Sequence, residues 1–191
     1  MNVIWLRGEG VALGPAREDL VPQYWQWEND PGTVNGYGRQ VPESLEVRTE
    51  GFGHQVRDCQ NQSRFTVYRL QGDEEEPVGL TTLLHDHMVG TAEFLIVMAP
   101  GARGQGLGAE ATRLTLDYAF HLAHRRMVYL KVLERNVAGI RAYRKAGFKE
   151  QGTLPRAGFW FGVPCGETFM SALPEDFPGP SVVVPPGVAS A

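Results

Sequence analysis

The chain has 191 residues, a formal net charge of −4, and 42% apolar, 10% aromatic and 21% charged residues. That length suffices for one domain with its own core, and the composition excludes disordered, fibrous and collagen-like classes. The acidic balance gives no basic surface for nucleic acid, so none is expected as a partner, and it weakly suits a cationic or amine substrate. Cys59 and Cys165 lie far apart and read as reduced thiols. The opening "MNVIWLRGEG" is too short an apolar run for a signal peptide, and no run approaches the roughly 18 apolar residues of a membrane span. A cytoplasmic protein without a membrane partner is expected.

In chain order, a strand near Val3 to Arg7 leads to "AREDLVPQYWQWEND", which reads as a helix with Pro22 near its first turn. Trp25 and Trp27 are predicted core residues. "PGTVNGYGRQVP", glycine-rich and bracketed by prolines, reads as a loop. A weaker helix is predicted from Ser44 as N-cap to about Asp58, with Gly51 and Gly53 each costing about 1 kcal/mol relative to alanine. "SRFTVYRL" and "PVGLTTLLHD" alternate or run apolar like strands joined by the solvated turn "QGDEEE".

Two strand-to-helix units follow. "TAEFLIVM", Thr91 to Met98, is apolar enough at its centre to be covered on both faces. From Leu107 the apolar positions Leu107, Ala111, Leu114, Tyr118 and Leu122 recur every three or four residues, which predicts one helical face against a sheet. "MVYLKVL" is the next strand, Asn136 is a good N-cap for "VAGIRAYRKA", and Gly147 followed by Phe148 supplies a left-handed stop. "GFWFGV", "PCG" and "ETFMSAL" read as a terminal hairpin. A single domain over 1–173 is expected, with the proline-rich tail 174–191 unfolded or loosely draped.

Between strand and helix lies "GARGQGLGAEA". A helix N-terminus leaves its first N–H groups without partners and carries about half a positive charge, so it attracts phosphate. Glycines at 104, 106 and 108 let a ligand approach the backbone, and Arg103 adds a charge. The plain alternative is a flexible turn. Gly106, Gly108 and Ala111 also fit the dinucleotide template G-x-G-x-x-A, with Glu134 as a ribose ligand. Against it, several residues separate Met98 from Gly106, and no further strand–helix units complete a doubly wound sheet.

At these residues the sequence resembles the GNAT superfamily of acetyl-CoA-dependent N-acetyltransferases, and within it the branch of the ribosomal-protein alanine N-acetyltransferases. Arg103, Gly104, Gln105, Gly106, Leu107 and Gly108 match the family's R/Q-x-x-G-x-G/A loop, with Glu110-Ala111 typical of the branch. "VLERNVAGIRAYRKAGFKEQGTL" is similar to the family's strand, asparagine, short helix, tyrosine and Gly-Phe sequence, and "WQWENDP" fits the branch less specifically. The resemblance implies an α+β fold: a largely antiparallel mixed sheet, flanked by helices, in which parallel strands four and five splay apart. It further implies that the pantetheine arm of acetyl-CoA lies along Leu95, Ile96, Val97 and Met98, that the amides of residues 103–108 take the pyrophosphate, and that Asn136 contacts the arm. No metal is implied.

The implied chemistry is direct attack of a neutral amine on a thioester, which needs a proton acceptor, an oxyanion donor and a proton for the leaving thiolate. Glu93 is the candidate base, similarly placed to the glutamate of histone acetyltransferases; an exposed strand-end glutamate or a water relay are the alternatives. Tyr143, seven residues after Asn136 on one helix face, is the candidate acid and cofactor contact; otherwise it is core. Many members of the branch carry serine where this chain has Gly139, so the acid is Tyr143 or the thiolate leaves unprotonated. A backbone N–H near Val97 to Ala99 is the candidate oxyanion donor. His85, Tyr37, Phe159, Trp160 and Phe161 are candidate acceptor-site residues. His85-Asp86-His87 sits at an expected turn and lacks a third ligand nearby in sequence, which disfavours metal. The resulting expectation is acetyl transfer to a primary amine, on a small molecule or a protein N-terminus, by a monomer or homodimer. A nicotinamide-dependent oxidoreductase and a catalytically silent acyl-CoA-binding module are the alternatives.

Overall fold

A computed structural model describes residues 2–36 and 41–183. Tyr37 and residues 184–191 lie outside the described residues. One eight-stranded sheet runs in the order β1-β2-β3-β4-β5-β6-β8-β7. Its strands are β1 (Leu6–Arg7), β2 (Val11–Pro15), β3 (Gln62–Gln71), β4 (Glu74–Asp86), β5 (Thr91–Met98), β6 (Met127–Leu133), β7 (Lys149–Trp160) and β8 (Val163–Ala172). The helices are α1 (Val21–Glu28), α2 (Pro31–Gly36), α3 (Leu45–Arg57), α4 (Leu107–His121) and α5 (Val137–Ala146). No helix among the described residues is long and apolar enough to cross a membrane.

Every pairing is antiparallel except β5 with β6, which are the fifth and sixth strands because the short β1 comes first. These two pair only from Thr91, Ala92 and Glu93 to Met127, Val128 and Tyr129, and then diverge. This is the expected splay. Strand alternation divides the sheet's two faces. Phe65 and Val67 of β3, Leu83 of β4, Phe94 of β5 and Val128, Leu130 and Val132 of β6 pack under α4 and α5, in two buried clusters with Leu114, Leu116, Phe120, Ile140 and Phe148. Leu80 and Val97 point the other way, into a smaller cluster with Leu20, Val21, Tyr24, Trp27 and Phe52 of the α1/α3 side.

Several local readings hold for the reasons given. Ser44 Oγ accepts from Val47 N at 3.3 Å and caps α3. Asn136 Oδ1 accepts from Gly139 N at 2.9 Å and caps α5, and Gly147, at φ +112°, ends it. Trp27 is buried, whereas Trp25 is half-buried and donates its indole N–H to Glu43 O.

Other elements differ from expectation. The opening strand shortens to Leu6–Arg7, and the better strand is Val11–Pro15, wholly buried up to Gly14 and paired with β3. The run "GEG" before it hides the alternation. Within the expected loop, residues 31–36 form α2: Asp30 Oδ2 accepts from Thr33 N at 3.1 Å and Pro31 occupies the first turn, a favoured start that outweighs the two glycines. The acidic run 74–76 belongs to β4, where Glu75 pairs with Arg7 and Glu76 with Arg69. The tail is docked as far as Val183. Phe177 packs against Phe120 and His121 of α4, and the fully buried Asp117 accepts from Ser181 Oγ at 2.5 Å and from Val182 N at 2.7 Å.

Candidate acetyl-transfer site

The residues between β5 and α4 combine unusual backbone with unused donors. Gly104 and Gly106 hold φ of +74° and +83°, conformations that a Cβ disfavours. Gly106 is the N-cap of α4, and with no side chain to cap the helix its first amides stay open. Ala109 N and Glu110 N are the first to bond back, to Gly106 O at 3.1 and 3.2 Å. Among the described residues, no hydrogen bond engages the N–H of Gly104, Gln105, Gly106, Leu107 or Gly108. Five consecutive free amides at the N-terminus of a 15-residue helix form an anion cradle. Glu110 serves elsewhere: its carboxylate accepts from Glu9 N at 2.7 Å and Gly10 N at 3.0 Å, tying the β1–β2 turn to α4.

Arg103 departs from the sequence reading. Its Nη1 pairs with Asp30 Oδ2 at 2.8 Å, its Nη2 donates to Thr33 Oγ1 at 2.6 Å, and its Nε donates to Met98 O at 3.2 Å. The guanidinium thus clamps the cradle to the start of α2. Burial pushes the Asp30 carboxyl up, but the hydrogen bonds from Arg103 and the Thr33 amide outweigh it and hold the group below its usual range.

Thr33 leads to a cavity of about 200 Å³ on the α1/α3 face of the sheet. Leu80, Thr82 and Leu84 of β4, Leu95 and Val97 of β5, and Val34 of α2 give it a mostly apolar wall; Gln55, Glu28 and Arg64 are its longer polar side chains. Arg48, 3% exposed, donates to both Glu28 oxygens, at 2.5 and 3.2 Å, and to Gln55 Oε1 at 3.2 Å. This ionic group, from two helices 20 positions apart in sequence, was invisible to motif reading.

Glu93 shares the alternation of Leu95 and Val97 and lies opposite Leu84, so it occupies the cavity's face of the sheet, at the vertex where β5 and β6 part. Lys131 Nζ lies 3.3 Å from its Oε1, and the Lys131 ammonium is held above its usual pKa chiefly by that charge. Tyr143 approaches from α5, with its ring 6.3 Å from Phe94 and 6.1 Å from Phe148. Burial pushes its phenol up to about 12, so it keeps its proton throughout the neutral range. Asn136 spends its carbonyl on the α5 cap. Its Nδ2 would lie 3.7 Å from a Cβ on Gly36, which places Asn136 beside the end of α2. A Cβ at Gly139 would come within 2.8 Å of the same Nδ2, so serine there displaces Asn136 from its present position.

His85 is not in this cavity. It alternates with Thr81 and Leu83 on the opposite face, where its Nε2 and Ser63 Oγ are 2.8 Å apart and Ser63 Oγ lies 3.1 Å from Tyr118 OH of α4. Burial, then Arg125 and His87, lower it to about 4. Strand β4 runs through His85 and Asp86, and His87 opens the expected turn, so it is on orientation that the acceptor-side role of His85 fails. Among the described residues no group of three His, Cys, Asp or Glu could hold a metal ion. Phe159, Trp160 and Phe161 form the β7–β8 tip, and Phe161 N donates to Asn35 Oδ1 of α2 at 3.0 Å, which ties the tip to α2; none of the three lines the cavity. Glu134, the ribose ligand of the dinucleotide alternative, instead accepts from Gly166 N at 2.8 Å and secures β6 to β8.

A mixed sheet with one splayed parallel pair and an amide cradle at its open end defines an acyl-CoA-dependent transferase class. A model of the acetyltransferase (GNAT) domain matches residues 11–149, and the chain belongs to that family. It is accordingly an acetyl-CoA-dependent N-acetyltransferase acting on a primary amine, and the oxidoreductase alternative falls. The chain is 28% identical over 144 residues to the spermidine N(1)-acetyltransferase of Escherichia coli, covering 75% of each chain. It is 32% identical over 104 residues to the probable N-acetyltransferase YjcK of Bacillus subtilis, covering 47% of this chain and 58% of the other. In fold it is similar to the crystal structure of spermidine N-acetyltransferase from Vibrio cholerae in complex with CoA and spermine, with TM-score 0.80 and 23% identity over 88% of this chain and 98% of the other.

Proposed function

We propose that acetyl-CoA binds with its diphosphate on the amides of residues 104–108 and its pantetheine arm in the splay beside Leu95 to Met98. The amine enters from the cavity on the α1/α3 face and reacts in a ternary complex. The row of five free amides carries this reading, because nothing else in the fold demands that they be left open. Acetyl-CoA supplies the thioester carbonyl; the chain supplies orientation and proton handling. As the amine nitrogen bonds to the carbonyl carbon and the C–S bond breaks, one proton leaves nitrogen and one reaches sulfur.

Glu93, on the cavity side of the vertex, is the group that receives the first proton, directly or through water, and Lys131 keeps its carboxylate oriented. Tyr143, packed against the core cluster on the α5 side with its proton retained, is the candidate donor to sulfur in this reading. The relatives named for spermidine support a small-molecule amine over a protein N-terminus as the acceptor. Soaking the protein with CoA and locating the diphosphate tests the reading: density at residues 104–108 is expected, and density elsewhere would overturn it. Thiol release with an amine, lost in Glu93→Gln and Tyr143→Phe, separates a transferase from a silent acyl-CoA-binding module.

A further inference from the structure

We propose that the acceptor is a primary monoamine with an apolar body, an alkyl or arylalkyl amine, and that the cavity reads this body with its aliphatic wall. The inference rests on the acetyl-transfer reading above and names the substrate class of the same site. Each polar residue that lines the cavity, among the described residues, already has a partner within the fold. Both oxygens of Glu28 accept from the buried Arg48, which also donates to Gln55 Oε1. Thr33 Oγ1 accepts from Arg103 Nη2 at 2.6 Å. Thr82 Oγ1 accepts from Arg64 Nη1 at 3.2 Å, and Arg64 Nε donates to Gln62 Oε1 at 2.9 Å. The polar half of the wall is therefore engaged in joining α1 to α3, α2 to the cradle's arginine, and β3 to β4.

The other half is aliphatic: Leu80 and Leu84 of β4, Leu95 and Val97 of β5, and Val34 of α2. Its volume of about 200 Å³ exceeds the roughly 150 Å³ of an apolar cavity that holds benzene, so a phenyl ring or a hexyl chain fits. Glu28 is the one carboxylate among these wall residues, and it is paired with Arg48. A second ammonium on the substrate would lose its water against leucine and valine without gaining a free counter-charge. An alkyl or aryl body in the same place takes apolar surface of both partners out of water. Specificity then arises from the cost of a second charge as much as from the gain of an apolar fit.

Hexylamine and hexamethylenediamine have the same reach and differ in the second ammonium alone, while propylamine shortens the apolar body. Initial rates of thiol release at saturating acetyl-CoA give kcat/KM for each. The value for hexylamine should exceed those for propylamine, spermidine and hexamethylenediamine, counted per amine, by at least about fivefold. Leu84→Glu places an unpaired carboxylate on the wall at a position 39% exposed, and should bring hexamethylenediamine level with hexylamine or above it. Arg48→Gln frees Glu28 and should move the ratio in the same direction. Either variant counts where acetyl-CoA still raises its Tm, the mark of a folded protein; the substrate series on the unmodified protein decides without them. A smaller ratio in the unmodified protein, or a ratio unmoved in folded Leu84→Glu or Arg48→Gln, overturns the inference while acetyl transfer stands. Thiol release with none of these amines, despite a Tm rise with acetyl-CoA, overturns the acceptor site proposed above and this inference with it.

Discussion

The two faces of the sheet are built on different principles. Under α4 and α5, the side chains of β3 to β6 enter two buried apolar clusters, with Thr115 Oγ1 and Thr81 Oγ1 bonded to each other at 3.0 Å. On the α1/α3 face, one smaller cluster gives way to a cavity with an ion pair behind it. The first face fixes the backbone of the cradle; the second is the face on which we propose the acceptor enters. A rigid scaffold beside an adaptable wall lets a family hold one cosubstrate while changing the other. Arg103 connects the two, since one guanidinium reaches Met98 O on β5, Asp30 just before α2 and Thr33 within it.

The sharpest way to break this contrast is to fill the cradle. Gly106→Val places a β-branched residue at φ +83° and over the open amides, and should weaken acetyl-CoA binding by about 100-fold or more, with a loss of about 1–2 kcal/mol in stability. Isothermal titration with CoA and a denaturant titration read the two effects separately. Tight CoA binding by this variant would remove the amides from the account.

Next in size is the pH response of the scaffold face. His85 is lowered to about 4 in the folded chain against 6.5 unfolded, so the unfolded chain binds more protons between those values. The associated stability is fully present above pH 6.5 and is lost as pH falls towards 4, by on the order of 2 kcal/mol after allowance for partial exposure. Denaturant titrations at pH 7 and pH 4.5 should show a difference that His85→Gln reduces. The same variant should leave the acceptor KM unchanged, because His85 faces away from the cavity. A raised KM would merge the two faces functionally.

Arg103→Ala tests the connection. Its guanidinium bonds Asp30, Thr33 and Met98 O and leaves the cradle's open amides untouched, so the acceptor KM should rise about tenfold while CoA affinity moves by less than about threefold. The reverse split would return Arg103 to the diphosphate. Smallest is Gly139→Ser, whose Cβ pushes the Asn136 cap aside and should lower stability by about 1 kcal/mol, read as a shift in urea midpoint. Unchanged stability would show that the cap re-forms around the serine.

The cradle was legible because its physics is local. Glycine spacing, the preceding apolar strand and the helical periodicity from Leu107 all lie within about 30 consecutive residues, and each constrains the same backbone. The α5 cap at Asn136 and the stop at Gly147 were readable for the same reason. The helix α2 was missed although Asp30-Pro31 is a helix-start signature, because the two glycines of "PGTVNG" dominated the reading. His85 was placed on the wrong side because strand β4 runs on to Asp86 and its alternation fixes the face. Arg103 was read as a phosphate ligand since its partners, Asp30 and Thr33, lie 73 and 70 positions away.

By itself, then, the order of residues determined the α+β class, the cradle, the caps and the family, since all of these follow from periodicity and from backbone preferences over short spans. Tertiary structure alone decided which strand face each polar side chain occupies and which carboxylate each arginine meets. Those outcomes depend on contacts between segments far apart in the chain, where a one-residue change of register on a strand moves a side chain to the opposite face.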